Sequence, residues 1–258
     1  MSIRTRPNKM HRQDIAHETQ RLTPNIMSTT VGASSEAKLY HQLLPRIVRR
    51  SGGKPRITVQ DQDTFTAARC ILSTNSQVRV GILNMASEKN PGGGWLRGAL
   101  AQEEALCLRS TLAATLNKEW YPLPSYGAIW SPKVAVFRDE LENGYRVYNP
   151  EQRFIVGVVS LAALRRPALT KDKKQFANPN DVQVLKNKMR QIMRIIADNN
   201  ISYCVLGAMG CGAFQNPPYE VARIYKEVLG EEEWDGVFEE IVFAVLDTRG
   251  SRIIGYSR

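Results

Sequence analysis

The chain predicts an α/β fold in three layers, with helices on both faces of a largely parallel or mixed sheet. Two observations carry this. Short runs of branched apolar residues recur between longer segments with helical spacing. Two glycine-rich loops each follow an apolar run and precede a helix, and ligands of such sheets bind beyond the carboxyl ends of strands.

Each element has its own signal. Residues 1–9 read as an arm outside the packed structure. Met10 to Leu22 has helical spacing, and Thr23-Pro24-Asn25 is expected to end it, because proline lacks the N–H that a helix interior needs. Ser34 to Arg50 reads as a second helix, closed by the turn Ser51-Gly52-Gly53-Lys54-Pro55. Arg56–Gln60 is a short strand, and Asp63 can cap a helix running to about Ser73. Val78–Leu83 is a buried strand, and Leu100 to Leu116 is the next helix. Val134–Phe137 and Phe154–Leu161 read as strands, and Lys171–Asn180 as an exposed loop. Asp181–Asn199 is a long helix entered through an Asp-type cap. Tyr203–Leu206 is a strand, Gly207–Asn216 a loop, and Pro217 to Leu229 a helix with proline in its first turn. Ile241–Leu246 is the final strand, ending at Asp247. This divides the chain into a basic arm with a helical extension over 1–55 and a core over 56–258, packed as one unit.

Composition narrows the class. At 258 residues and 43% hydrophobic, the chain can bury a sizeable core. The longest apolar candidate, Phe154 to Leu164, is interrupted by Gly157 and Ser160 and is too short to span a bilayer. The first twenty residues lack the apolar core of a secretion signal. A soluble intracellular protein, nuclear or cytoplasmic, with no membrane partner is therefore expected. Cys70, Cys107, Cys204 and Cys211 form no C-x-x-C pair, and no histidine follows His41, so no metal site is expected. Cys70, Cys107 and Cys204 have apolar neighbours and read as buried free thiols. Residues 1–60 hold eleven Lys/Arg against three Asp/Glu, which is eight of the net +10. Such a segment either attracts a polyanion or is a solvated basic face.

The most informative stretch runs from Gly92 to Glu104. It joins Gly92-Gly93-Gly94 to Gln102-Glu103-Glu104 across seven residues. Glycines accept positive φ and let a ligand approach the backbone. Three of them before a helix can form a concave N–H surface for anions. Leu100, Glu104, Leu108 and Leu112, spaced four apart, are expected to share one helix face, which would set a carboxylate within an apolar stripe. Burial would raise its pKa and the helix N-terminus would lower it. Glu103 lies about 100° round the helix from Glu104, so the two should do different jobs.

The second loop, Gly207-Ala208-Met209-Gly210-Cys211-Gly212-Ala213-Phe214, sits between a strand and a helix, where backbone amides could hold a diphosphate. Phe214 could wall a sugar or belong to the core. The glycine order is not G-x-G-x-x-G, and no Lys-Ser/Thr follows. Cys211 has no histidine near it in sequence to make it a nucleophile.

Taken together, these strings resemble poly(ADP-ribose) glycohydrolases of the compact bacterial and fungal branch. The resemblance rests on Leu83-Asn84-Met85-Ala86-Ser87-Glu88-Lys89-Asn90-Pro91-Gly92-Gly93-Gly94 and on Gln102-Glu103-Glu104-Ala105-Leu106-Cys107-Leu108-Arg109-Ser110-Thr111-Leu112. It extends through Ser131-Pro132, Val136-Phe137-Arg138-Asp139, Gly210 to Pro218 and Phe243 to Asp247, and so spans about residues 10–250. One departure is visible: where the family often carries Pro-Ala-Val-Asn after the strand near residue 160, this chain has Leu161-Ala162-Ala163-Leu164.

The resemblance implies a macrodomain-like fold: a central mixed sheet between helices, an ADP-ribose cleft at its crest and an N-terminal helical extension. It implies cleavage of the ribose–ribose O-glycosidic bond of poly(ADP-ribose), with Glu104 as catalytic acid and Glu103 binding the adjacent ribose. Asn84 and Asn90 would order that ribose, and Gly92, Gly93, Gly94 and Gln102 would line the same site. Gly210, Cys211, Gly212, Ala213 and Phe214 would hold the diphosphate and press on the distal ribose. No cofactor and no metal is needed. The implied partners are ADP-ribose, its polymer and poly(ADP-ribosyl)ated proteins, as in a DNA damage response, for a monomeric enzyme. Competing readings are a non-catalytic ADP-ribose reader, a mono-ADP-ribosyl hydrolase, and a dinucleotide oxidoreductase using the second loop alone.

Overall fold

The computed structural model describes residues 8–48 and 52–246. Its apolar runs pair into one seven-stranded sheet made of β1 (Lys38–Tyr40), β2 (Arg56–Gln60), β3 (Val80–Met85), β4 (Ala128–Val136), β5 (Phe154–Leu161), β6 (Tyr203–Leu206) and β7 (Glu240–Ala244). The order across the sheet is β1-β4-β5-β3-β6-β7-β2. Every pair from β5 to β2 is parallel, while β1 and β4 add on antiparallel. The helices are α1 (Lys9–Thr29), α2 (Thr64–Thr74), α3 (Gln102–Arg109), α4 (Pro179–Asp198) and α5 (Pro218–Leu229).

Strand side chains alternate between two cores, as a sheet buried on both faces requires. Ile82, Val158, Val205 and Val242 face the cluster shared with α1, α2 and α3. Leu83, Val159, Leu206 and Ile241 face the cluster built on α4 and α5. The three-layer arrangement expected of a macrodomain-like fold is thus present. β3, β5 and β6 lie side by side at its centre, so the two glycine loops and the segment after β5 emerge together at one edge.

Several boundaries differ from the sequence reading, each through a long-range contact. α1 continues through Pro24 to Thr29. Beyond the proline, Ile26 is buried against Ala135 and Phe137, and Thr23 donates its hydroxyl to the Thr19 carbonyl at 2.7 Å. Those contacts offset the lost backbone bond. α3 stops at Arg109 rather than continuing to Leu116, because the Arg109 carbonyl accepts from Phe137 N and Arg138 N and Ser110 bridges to Val136. Leu112–Thr115 forms a separate short turn. β4 begins at Ala128, earlier than read, and tolerates Pro132 at an irregularity between Ser131 and Val134. α4 is entered from Asn178, whose side chain accepts from Asn180 N, not from Asp181. The stretch before it is not wholly exposed, since Phe176 is buried. Cys70 is exposed, on the outer side of α2, whereas Cys107 and Cys204 are buried as expected. Residues 1–7, residues 49–51, which include Arg50 at the end of the helix expected over 34–50, and residues 247–258 lie outside the described residues.

The largest departure is residues 34–50, expected as a helix. Lys38–Tyr40 forms the edge strand β1, and residues 41–48 after it form neither helix nor strand. Its backbone is held by side chains of other elements. Gln191 of α4 accepts from Leu44 N at 2.8 Å and donates to Gln42 O at 2.9 Å. Arg194 donates to Leu44 O at 2.7 Å. Glu233 accepts from Ile47 N at 3.0 Å and pairs with Arg194 at 2.6 and 2.8 Å. Backbone groups spent this way cannot close helical turns.

Glu233 is 1% exposed, so its charge depends on Arg194. Arg194→Met should destabilise the protein by about 3–5 kcal/mol, the scale for stranding one member of a buried pair. Adding Glu233→Leu should recover part of that loss in denaturant titrations. An Arg194→Met protein with unchanged stability would remove this account of the segment.

Candidate active site

Three elements set the site. The end of β3 supplies Asn84, the loop after it supplies the glycines, and the first turn of α3 supplies the paired acids. Their placement is fixed by polar contacts. Gln102 donates to Leu83 O at 2.7 Å and accepts from Met85 N at 2.8 Å, which pins α3 to the last residues of β3. Arg109, at the other end of α3, is buried and ion-paired with Asp63, the residue whose carboxylate caps α2. α1 adds a brace: Thr19 donates to Leu108 O at 2.8 Å, and Arg12 donates to Gly98 O at 2.9 Å.

Both acids are buried, Glu103 at 3% and Glu104 at 8% exposure. The apolar stripe expected for Glu104 does not exist as such, because Leu100 precedes the helix and is exposed, and Leu112 follows it. Instead the carboxylates turn into the glycine loop. A Cβ on Gly93 would lie 2.6 Å from Glu104 Oε1 and 3.0 Å from Glu103 Oε2. Gly93 also has φ +60°, a conformation few side chains adopt. Its neighbour Gly92 is closed over by Trp95, a buried aromatic that the sequence reading did not single out.

The two acids are held differently. Glu103 Oε2 accepts from Ser87 N at 2.7 Å, and its Oε1 accepts from Asn84 Nδ2 at 3.3 Å. Burial pushes the Glu103 carboxyl up to about 8, with the Ser87 and Asn84 hydrogen bonds opposing and the charge of Glu104 adding to the rise. Glu103 thus carries a proton at neutral pH. Glu104 Oε1 accepts from Gly94 N at 3.0 Å, and its Oε2 accepts no hydrogen bond among the described residues. Asn84 is fully buried; it donates to Ser160 Oγ at 2.9 Å, and its own Oδ1 has no partner. Asn90 is exposed; its carbonyl accepts from Gly93 N and its backbone N–H donates to Ser87 Oγ.

The first loop therefore commits its N–H groups within the protein. Gly93 donates to Asn90 and Gly94 to Glu104. The second loop does not. The N–H groups of Gly212, Ala213 and Phe214 donate to nothing among the described residues, and a Cβ on Gly212 would meet open space. Gly210 has φ +75°, and Asn216 fills the place where its Cβ would be. The buried Asn216 amide donates to Leu164 O at 2.6 Å and to Gly210 O at 3.2 Å, which fixes the loop against the segment after β5. Three consecutive free amides before a helix suit an anion. Phe214 is half-buried, not a sealed core aromatic. Burial pushes the Cys211 thiol up to about 12, which leaves it protonated and a poor nucleophile. Among the described residues no group of three His, Cys, Asp or Glu is arranged to hold a metal. No described helix is long and apolar enough to cross a membrane. Sequence reasoning missed Ser87, which is too ordinary to stand out, and Arg165 and Arg166. Arg165 sits beside Phe214 in space and far from it in sequence.

Two measurements follow from this geometry. Gly93→Ala should lose about 1–2 kcal/mol or more in thermal unfolding, from the left-handed backbone and the carboxylate clash, while Gly212→Ala should stay within about 0.5 kcal/mol. Equal effects would remove the steric argument. The second concerns Glu103. Its folded pKa lies above the ordinary carboxylate value of about 4.5, so its contribution to stability is full below that value and is lost as pH rises toward 8. The slope is at most about 1.4 kcal/mol per pH unit. Glu103→Gln removes the titration, so its unfolding midpoint relative to the parent should rise between pH 5 and pH 8. A difference that stays flat with pH would contradict a buried, protonated Glu103.

Comparison with known proteins gives the family and the fold. The family described as "Microbial-type PARG, catalytic domain" matches residues 11–139, half of the chain, including both the glycine loop and the paired acids. The crystal structure of poly(ADP-ribose) glycohydrolase from Thermomonospora curvata is 30% identical, with a TM-score of 0.79 over 93% of this chain and 95% of that one. The same enzyme bound to the inhibitor ADP-HPD aligns at 28% identity and a TM-score of 0.75, over 93% and 95% of the two chains. Poly(ADP-ribose) glycohydrolase from Deinococcus radiodurans in complex with ADP-ribose is 27% identical, with a TM-score of 0.66 over 92% of this chain and 88% of that one. A search of curated proteins returned no match. On the strength of that family match and a structural likeness running nearly the length of both chains, this chain belongs to the microbial-type poly(ADP-ribose) glycohydrolases.

Proposed function

We propose that this chain is a glycosidase that releases ADP-ribose from poly(ADP-ribose) by cutting its ribose–ribose O-glycosidic bonds, with Glu104 as the acid–base. The observation that carries this reading is the convergence of two buried carboxylates on Gly93, one of them protonated at neutral pH. A non-catalytic reader of ADP-ribose has no use for such a pair, which is costly to bury.

The roles follow from how each group is held. Glu104 has one oxygen fixed by Gly94 N and the other without a partner, so it can deliver a proton to the leaving ribose oxygen. Positive charge then develops at the anomeric carbon. The ionised Glu104 next accepts a proton from the attacking water, so that one carboxyl serves in both halves of the reaction. Glu103 is held on both oxygens and suits a fixed partner for hydroxyls of the reacting ribose. The unpartnered Oδ1 of Asn84 adds an acceptor beside it. The diphosphate belongs on the free amides of Gly212, Ala213 and Phe214, where its charge also favours the cationic state. The glycines of the first loop admit the sugar to the carboxylates. Gln102 acts through β3, since both ends of its amide are spent on that strand. No step requires a cofactor.

The raised pKa of Glu103 favours one specific alternative, in which Glu103 is the proton donor. The two variants separate them. Glu104→Gln should lower the rate of polymer cleavage by about two or more orders of magnitude and leave ADP-ribose binding within a few-fold, as read by chromatography of released ADP-ribose and by calorimetry. Glu103→Gln keeps a neutral hydrogen-bonding group and should lose less. The reverse ranking would transfer the acid role to Glu103, cleavage by both variants at the parent rate would end the acid–base assignment to either glutamate, and failure of the parent to release ADP-ribose would end the glycosidase reading.

A further inference from the structure

We propose that Arg165 is a positioning residue: it latches Phe214 of the second loop to Glu88 of the first, and through that ring sets how tightly the cleft holds an ADP-ribose unit. The proposal rests on reading the cleft as the ADP-ribose site, and it concerns the wall where this sequence departs from its family's usual pattern.

Arg165 lies just after β5, whose carboxyl end is level with those of β3 and β6. Its guanidinium stands 5.0 Å over the Phe214 ring, and its Nε lies 2.7 Å from Glu88 Oε1. One planar group thus touches both loops. A guanidinium can stack on a ring and donate in its own plane at once, which an ammonium cannot do.

Both ends of the latch are anchored. The Glu88 carbonyl accepts from Leu123 N at 2.8 Å, and its Oε2 is buried without a hydrogen-bond partner. The buried ammonium of Lys188 feels the charge of Glu88. At the other end, Arg166 N donates to Phe214 O at 2.8 Å, and Asn216 Nδ2 reaches Leu164 O and Phe214 O. Arg166 is held at φ +46°, unusual for a residue with a side chain, and its bond to the Phe214 carbonyl falls on that residue. The backbone around Arg165 is therefore set by the second loop, while its side chain is set by the first.

Arg165 is 45% exposed and Glu88 24%, so the latch is modest and suited to tuning rather than folding. A free Phe214 ring would have to be ordered by each incoming ligand, whereas a latched one is ready in advance. The ring, not the cation, is the part that meets the sugar.

The test uses the full chain with Arg165→Met and Arg165→Lys. Hydrogen exchange at the amides of Arg166, Gln215 and Asn216, read without ligand, should quicken about three- to tenfold in both. Calorimetry with ADP-ribose should show affinity falling by a similar factor in both, and Arg165→Met should add nothing once Phe214→Ala is in place. Three results would overturn the latch: unchanged exchange, full affinity in Arg165→Lys, or additive losses with Phe214→Ala, the last two pointing to a plain charge on the diphosphate. If the parent protein itself fails to bind ADP-ribose, the reading of the cleft falls and takes the proposal with it. Normal binding by the parent with unchanged exchange in Arg165→Met sinks the latch alone.

Discussion

Two adjacent carboxylates are buried at the start of α3, and the surrounding chain is arranged to make that burial tolerable. Ser87 N, Asn84 Nδ2 and Gly94 N each donate to one of them. The donors come from the end of β3 and the loop after it, so the acids and the loop specify each other. Without a side chain on Gly93 the carboxylates can come within contact of the backbone; with one they cannot. What solvation remains missing is met by protonating Glu103, which is the usual response of a buried acid lacking a full counter-charge.

The rest of the structure keeps this arrangement rigid. α3 is only eight residues long and would not hold its place by helix propensity alone. It is fixed at one end by Gln102 on β3 and at the other by the buried Arg109 against the α2 cap. α1 closes over its far side, with Ile15 and Ala16 in the same apolar cluster as Leu106 and Leu108. The N-terminal helix is thus part of the support for the turn that carries the paired acids. On the opposite face, Arg194 and Glu233 hold the segment after β1 against α4.

The division of labour between the loops also has a physical cause. In the first loop Gly94 N is taken by Glu104 and Gly93 N by the Asn90 carbonyl, so neither is available to a second anion. The second loop precedes a helix that also has an acid in its first turn, Glu220, but that carboxylate is taken by Arg223 at 2.9 and 2.7 Å, and the amides of Gly212 to Phe214 donate to no group among the described residues. The free amides and the buried carboxylates thus lie on separate turns that share one edge of the sheet.

Much of this was legible in the sequence. The alternation of strands and helices, the Asp63 cap and both glycine loops depend on neighbours within a few residues, and local periodicity reveals them. The pairing of Gly92-Gly93-Gly94 with Glu103 and Glu104 was readable for the same reason. Tertiary structure decided what depends on distant partners. Pro24 sits inside a helix because Ile26 is buried, and residues 42–47 form no helix because Gln191, Arg194 and Glu233 take their backbone bonds. Leu100 does not shield Glu104, because the helix starts after it. Arg165 reaches Phe214 only once β5 and β6 have been brought to the same edge. A single sequence displays spacing along the chain, whereas hydrogen-bond donors, burial and charge partners are shared across it, and those set the protonation of Glu103 and the free amides of the second loop.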